Sequence, residues 1–600
     1  MVQGMPSMPP PAKPLKDYVA PYRTRATLGF LSVVGAIALG LIVPFILRNI
    51  IDGIESGEFT ARKLHQLVAM FFAASAAAVF FSVLMRKILL GVAQHVEYDI
   101  RKDVFNALTR LDFAFFQRER TGDIMTKMSS DLGAIRELVG QGLLQGSRIA
   151  LGFPFAFGIM FALNVKLALT IMLIIPVISI VFFFIIRVIR RRYDISQEQF
   201  STISNFCQES FAGFRTIKGF GIEERMRGRF REQNEEYIRR NMSLTRAEEP
   251  VWPFMIFMFG MGTLLLLLVG GRLVIEGQMS LGEFVQFNQY LLYLQWPMLA
   301  LGWTSNLIQR GLASWKRVQT ILGAVPDIAD GPHTRHDLTT IQGDIRFEDV
   351  SLTLGGTRLL HNINLVIPEG QTLAITGPTG GGKTLLVSLI QRLIDPTEGR
   401  ITLGGIDLRH IPLKVLRASL GVAPQETFLF SDTLANNISL GLPAAETSPP
   451  ASSSPHEEKV LWAACIAHLR DEVEGFPNQF QTMLGERGVT LSGGQRQRTA
   501  ISRALALDPR ILILDDVFSA VDTHTEARIL EQLLPVLGPR TSILISHRVS
   551  TLRHADRILV LDEGAMIEEG SHEELVARGG YYADLDETQR LEARLEEGAS

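Results

Sequence analysis

Five stretches of this chain run for about twenty residues of helix-compatible sequence without one charged side chain. They are Ala26–Leu47, Leu64–Met85, Leu167–Ile186, Val251–Gly271 and Phe284–Ile308. A bilayer core about 30 Å thick needs roughly 20 apolar residues of helix, and each run is too long for an ordinary buried strand. A sixth stretch, Leu138–Leu163, carries only Arg148. The sequence therefore predicts six spanning helices. At 600 residues and 47% hydrophobic content, with the apolar excess confined before residue 310, the chain divides into a membrane domain followed by a soluble one.

Basic residues set the predicted orientation. Arg101, Lys102, Arg110, Arg118, Arg120 and Lys127 follow the second span, and Arg187, Arg190, Arg191, Arg192, Arg215 and Lys218 follow the fourth. The stretches at Asn164–Lys166 and Arg272–Ser280 are short and poor in charge. Both termini and the soluble domain are thus expected in the cytoplasm, with the protein in the cytoplasmic (inner) membrane. Arg48, Arg62 and Lys63 run against this count but are accompanied by Asp52, Glu55 and Glu58. The Pro-rich start, Pro9–Pro14, has no apolar core with a small-residue cleavage site, so no removable signal peptide is expected. Cys207 and Cys465 lack metal-ligand spacing and read as small hydrophobes in a reducing compartment. No basic stripe with interleaved aromatics points to nucleic acid.

Helical patterns at Val96–Leu111 and Gln197–Ile217 predict that the spanning helices continue into the cytoplasm. In the sixth span, Glu283, Gln286, Gln289, Tyr290, Tyr293 and Trp296 share one helix face. Such a stripe serves either as a substrate-pathway wall or as helix–helix hydrogen bonding. Arg148 is expected to snorkel to lipid phosphates, with substrate contact as the alternative.

Val325–Gly343 reads as a linker, and from Ile345 short β-branched strands alternate with amphipathic helices, an α/β pattern. After the strand Thr372–Ile375 comes Gly377-Pro378-Thr379-Gly380-Gly381-Gly382-Lys383-Thr384, a phosphate loop of the form G-x-x-x-x-G-K-[ST]. Its glycines let backbone N–H groups close around the β- and γ-phosphates of ATP, Lys383 supplies charge and Thr384 offers a hydroxyl to Mg²⁺. A second apolar strand, Ile511–Leu514, ends in Asp515 and Asp516. Asp515 suits a metal contact, direct or through water.

Together with Leu491-Ser492-Gly493-Gly494-Gln495 and the isolated His547, this order resembles the nucleotide-binding domain of an ATP-binding cassette (ABC) transporter. Alone, Ser-Gly-Gly is ordinary loop chemistry and His547 an ordinary core histidine. The resemblance implies an all-α transmembrane domain of six spanning helices, in the type I/IV exporter fold, fused to an α/β P-loop ATPase domain. The implied organisation is 1–25 tail and elbow helix, 26–324 transmembrane domain, 325–343 linker, 344–580 nucleotide-binding domain and 581–600 C-terminal helix or tail. It implies that Leu491–Gln495 contacts ATP held on an opposite subunit, that Gln425 links the Mg²⁺ site to coupling helices, and that Asp522 belongs to the D-loop. His547 matches the switch histidine that meets the γ-phosphate. Phe115-Phe116 with Thr121–Ile124, and Phe211–Ile217, resemble coupling helices that dock into the ATPase domain, the alternative being solvated connectors. Gly485–Gly488 is similar to the loop that touches the partner's coupling helices. The insert Leu442–Glu458 reads as a surface loop without chemistry.

Two positions depart from the family pattern. Asp516 stands where active members carry Glu, one methylene shorter. Leu354 stands where an aromatic residue stacks on adenine. Both weaken the site on this chain's own phosphate loop, while its signature is intact. The chain therefore resembles the degenerate-site subunit of heterodimeric TmrAB-like multidrug and peptide exporters. That implies a second, non-identical half-transporter bearing the catalytic Glu, and amphipathic small-molecule, lipid or peptide cargo moved outward past membrane lipids. A homodimeric lipid flippase or drug exporter using Asp516 as its base is the alternative, and an ATP-gated regulatory membrane protein a further one.

Overall fold

The computed structural model describes residues 13–57, 59–442, 455–485 and 491–599. Pro9–Ala12, most of the insert after Leu442, and Glu486–Gly488 of the loop before the signature lie outside the described residues. The chain divides into two compact units.

The first unit, residues 11–108 and 122–323, is helical. Its long helices are Arg23–Glu55, Ala61–Leu108, Leu143–Leu163, Ile174–Ala212, Glu223–Glu248 and Leu281–Leu322. The helix Ala61–Leu108 has 48 residues, about 72 Å at 1.5 Å per residue, more than twice a bilayer core. It therefore continues well beyond the apolar layer, as its pattern predicts. Among the described residues, four helical stretches are long and apolar enough to cross a membrane: Leu15–Glu55, Ala61–Leu108, Thr121–Leu163 and Glu223–Ile275. The two other predicted spans differ for physical reasons. The fourth is broken at Leu173, between Val165–Met172 and Ile174–Ala212, and the sixth is diluted by its polar stripe. Single π-turns at Leu138–Gly142 and Leu266–Gly270 offset the helix register of the third and fifth.

Val33, Met85, Leu144, Met160 and Phe287 fill the core of this unit, while Phe72, Val79, Phe80 and Val83 stay exposed along one helix. An apolar face of that kind is costly in water and neutral in lipid. Outside the apolar segments several charges are paired. Asp131, 3% exposed, accepts from Arg317 at 2.9 and 2.5 Å and from Ser314 at 2.9 Å. Glu97 bridges Arg101 and Arg136, and Arg310 meets Glu137.

The second unit, residues 109–121 with 324–600, carries two sheets. Strands β1 (Ile345–Leu354), β2 (Thr357–Ile367), β3 (Thr372–Thr376), β4 (Glu398–Leu403), β5 (Ile406–Asp407), β6 (Leu420–Ala423), β7 (Ile511–Asp515), β8 (Thr541–Ile545), β9 (Arg557–Asp562) and β10 (Ala565–Gly570) follow in order. An antiparallel sheet runs β2-β1-β4-β5, and a second runs β10-β9-β3-β8-β7-β6, parallel from β9 to β6. Every residue of β3, β7 and β8 is buried, which is why these strands read as continuous apolar runs. Phe113–Arg118 is a short helix in this unit, and its N-cap Asp112 also accepts from the Asp327 amide at 2.6 Å. The chain between Gly323 and Asp344 has no regular element.

Candidate functional site

The phosphate loop leaves β3, turns through Gly377–Gly382 and enters the helix Lys383–Ile390. Gly377 has φ +134°, and a Cβ there would lie 2.0 Å from the Leu561 carbonyl oxygen. Only glycine lets the loop sit against the end of β9. Lys383 is 8% exposed, and its Nζ donates to the carbonyls of Gly377 and Pro378, both at 2.8 Å. Burial lowers the Lys383 pKa, and Asp516 and Asp515 oppose that shift. A polyphosphate offers the ammonium charged oxygens in place of neutral carbonyls, aligned with the positive end of the helix.

Asp515, 4% exposed, closes β7. Burial pushes its carboxyl up, with Asp516 adding to the rise, while a hydrogen bond with the Thr384 side chain and the Lys383 charge work against it. A carboxylate beside a hydroxyl is a fitting oxygen set for Mg²⁺, which takes one or two protein ligands plus substrate phosphates.

Asp516 follows in a left-handed conformation, φ +47°, which aspartate tolerates better than most residues. Its amide donates to the Ile545 carbonyl at 2.9 Å, and its carboxylate accepts from Gln425 Nε2 at 3.3 Å. His547 follows β8, its pKa lowered by burial and then by the Lys383 charge, with Asp516 opposing. The structure thus gathers Lys383, Thr384, Asp515, Asp516, Gln425 and His547 at one end of the parallel strands. Thr379 and Gly380 are exposed on the loop. Leu354 ends β1 at the surface, 38% exposed.

A second group forms around the helix Gly493–Ala506. Ser492 caps it in a reciprocal box with Gln495, at 3.2 and 2.9 Å. Leu491 is buried. Gly494 lies so close to the turn Ser519–Asp522 that a Cβ would sit 3.2 Å from the Ala520 carbonyl oxygen, and Gly493 packs on the Ala520 side chain. Asp522 caps the next helix, Thr523–Leu537, accepting from Thr525 at 2.9 Å. Among the described residues, no hydrogen bond joins Leu491–Gln495 to this chain's own phosphate loop.

Two positioning residues were given no role from the sequence, although Gln497 lies within the run Leu491–Arg498 (LSGGQRQR) that carries the signature. Gln497 donates to Ser519 Oγ at 2.8 Å and accepts from the Ala520 amide at 2.9 Å, and Ser519 Oγ donates on to the Asp516 carbonyl at 3.0 Å. Glu526, 2% exposed, accepts from Ser550 at 3.0 Å and Thr551 at 2.7 Å and pairs with Arg548. It looks like any polar position of an amphipathic helix.

In the membrane unit the polar stripe divides. Gln286 and Tyr290 are each 1% exposed. Gln286 donates to the Tyr290 hydroxyl at 3.0 Å, and that hydroxyl donates to the Leu41 carbonyl at 2.8 Å. These two take the helix–helix role. Glu283 caps its own helix and pairs with Arg48 at 2.8 Å. Gln289 and Tyr293 are half-buried, Tyr293 lying against Gly152, while Trp296 is 62% exposed. Arg148 is also half-buried, with Tyr293 and Arg86 within electrostatic range.

Comparison with known proteins agrees with this geometry. Residues 26–298 match the family described as ABC transporter transmembrane region, and residues 360–519 the family described as ABC transporter. The multidrug resistance-like ATP-binding protein MdlA of Escherichia coli is 33% identical over 579 residues, covering 96% of both chains. The ATP-dependent lipid A-core flippase of Desulfotalea psychrophila is 34% identical, covering 95% of this chain and 98% of its own. The structure of a bacterial Atm1-family ABC exporter with ATP bound superposes with a TM-score of 0.79 at 27% identity, over 94% of this chain and 99% of that one. With a helical membrane domain and one ATPase domain on a single polypeptide, the chain belongs to the ABC transporters, as a half-transporter of the exporter type whose ATP hydrolysis is coupled to transport.

Proposed function

We propose that this chain is the degenerate-site half of a heterodimeric exporter in the cytoplasmic membrane, with both termini and the ATPase domain on the cytoplasmic side. The observation that carries the reading is Asp516: a short carboxylate at the position of the hydrolytic base, within a site otherwise furnished with Lys383, Thr384, Asp515, Gln425 and His547. One methylene fewer draws the carboxylate back by roughly 1.5 Å, and a misplacement of about 1 Å can cost around a hundredfold when a water must be held in line. Leu354, offering no aromatic face to adenine, weakens the same site.

In this reading Lys383 and the loop amides grip the β- and γ-phosphates. Asp516 orients the attacking water poorly, and His547 meets the γ-phosphate. Thr384, Asp515 and Gln425 would hold a Mg²⁺ arriving with the nucleotide, which would supply charge neutralisation of the phosphates. Leu491–Gln495 completes the partner's site, where a Glu activates water at full rate. Phe211 and Phe214, at 76% and 52% exposure, supply an apolar coupling face for the partner's ATPase domain. Cargo is an amphipathic or aromatic compound (drug, lipid or peptide) carried outward, in keeping with relatives named for multidrug resistance and for lipid A-core flipping.

The hydrogen bond that brings Asp516 to Gln425 favours a second reading, in which a homodimer uses Asp516 as a working base. Affinity isolation from the native membrane separates the two. Recovery of a second, Glu-bearing half-transporter supports the heterodimer. Recovery of this chain alone, with vigorous ATP turnover, overturns it.

A further inference from the structure

The C-terminal helix Tyr581–Ala599 is seated firmly on the ATPase core. Tyr582 is fully buried in a cluster with Val549, Leu552 and Val560, and its hydroxyl meets His572 Nδ1 at 2.9 Å. Two turns along, Gln589 reaches the segment that carries the switch histidine. Its Oε1 accepts from the Val549 amide at 2.9 Å, and its Nε2 donates to the His547 carbonyl at 2.7 Å. The short helix Val549–Leu552 has no side-chain cap from its own N-cap residue, Arg548, so Gln589 caps it from outside. Glu526 fixes Arg548, Ser550 and Thr551, but Gln589 alone of these two holds the backbone of His547.

We propose that Gln589 is a positioning residue for His547, making the C-terminal helix part of the γ-phosphate sensor. One amide must donate on one side of Arg548 and accept on the other, which fixes the peptide on the C-terminal side of His547 and so the direction of its ring. A glutamate keeps only the accepting arm, and an asparagine is one methylene too short to reach both. The proposal rests on the reading that His547 meets the γ-phosphate.

ADP lacks that phosphate, so ATP-over-ADP preference is a readout that a general packing defect would not move. The test uses the full-length transporter, photolabelled with 8-azido-ATP in the cold and competed with ATP or ADP. Label is read on this polypeptide after electrophoretic separation, so slow hydrolysis at its site does not confuse the result. His547→Ala sets the ceiling. Gln589→Ala is expected to weaken competition by ATP roughly fivefold, the equivalent of one neutral hydrogen bond, leaving competition by ADP unchanged; Gln589→Glu should fall between. Equal weakening of ATP and ADP by Gln589→Ala, or no change while His547→Ala selectively weakens ATP, would overturn the positioning role. If His547→Ala itself fails to discriminate, the γ-phosphate reading falls and the inference with it.

Discussion

Gln425 Nε2 donates to the Asp516 carboxylate at 3.3 Å, so the residue implied to report on the Mg²⁺ site and the residue at the base position are in direct contact. Both partners lie at the rim of a buried strand: Gln425 is exposed, whereas Asp515, one residue before Asp516, is 4% exposed. The short carboxylate is therefore held by an exposed amide while it stays within electrostatic range of Lys383.

Lengthening the acid should recover catalysis. Asp516→Glu is expected to raise ATP turnover at this chain's site by about a hundredfold, with ATP affinity little changed because the grip comes from Lys383 and the loop. The left-handed backbone at this position taxes Glu somewhat more than Asp, so a modest loss of thermal stability should accompany the gain. Phosphate release by the purified transporter measures it. Unaltered turnover would mean that Asp516 is already an adequate base.

Gln497 ties the signature helix to Ser519, and Ser519 to the Asp516 carbonyl. Gln497→Ala should remove the acceptor of the Ala520 amide, at a cost of about 0.5–1.5 kcal/mol. Because this relay sets the D-loop against the signature, turnover of the whole complex should drop about tenfold or more, with nucleotide binding to this chain retained. Loss of binding and turnover together would point to misfolding instead.

The pH dependence of Mg²⁺-ATP binding follows from Asp515. Burial raises its carboxyl above the ordinary aspartate value, so it takes up a proton at a higher pH than a free aspartate does. A metal-bound carboxylate must be ionised. Binding should release a proton there, and affinity should fall as pH drops through the raised pKa. Calorimetry in buffers of unlike ionisation heat detects the release, and ATP without Mg²⁺ should show a weaker slope. A pH-flat Mg²⁺-ATP affinity would contradict the assignment.

The chemistry-bearing loops were legible because each is a local pattern: Gly377–Thr384 needs only its eight-residue spacing, and Ile511–Asp516 only its apolar run and acids. What the sequence hid is contact at a distance. Gln497 meets Ser519 from 22 positions away and Gln589 meets His547 from 42; Gln497 lies within the signature run, but neither its partner nor that of Gln589 is written in the local pattern. The break at Leu173 and the π-turns at Leu138–Gly142 and Leu266–Gly270 were hidden for another reason. They shift backbone register inside uniformly apolar sequence, where composition does not change. The polar face of the sixth span was visible as a stripe, but spacing alone does not separate Tyr290, turned onto Leu41, from Trp296, left exposed.

That last distinction can be measured. Tyr290→Phe removes a buried donor to the Leu41 carbonyl and leaves Gln286 Nε2 without its acceptor. Hydrogen bonds between membrane helices are worth about 0.6 to 2 kcal/mol, so a small fall in melting temperature is expected, with the range of compounds stimulating ATP hydrolysis unchanged. Trp296→Ala should do the reverse. At 62% exposure its ring contributes little to packing within this chain, and its loss should alter which aromatic or amphipathic compounds stimulate hydrolysis at nearly constant melting temperature. Thermal unfolding in detergent, set beside a dye, lipid and peptide stimulation screen, separates the two residues. Should Tyr290→Phe alter the stimulation pattern and Trp296→Ala leave it intact, the pathway would run along the buried part of the stripe, and the helix–helix role given to Gln286 and Tyr290 would not be their only one.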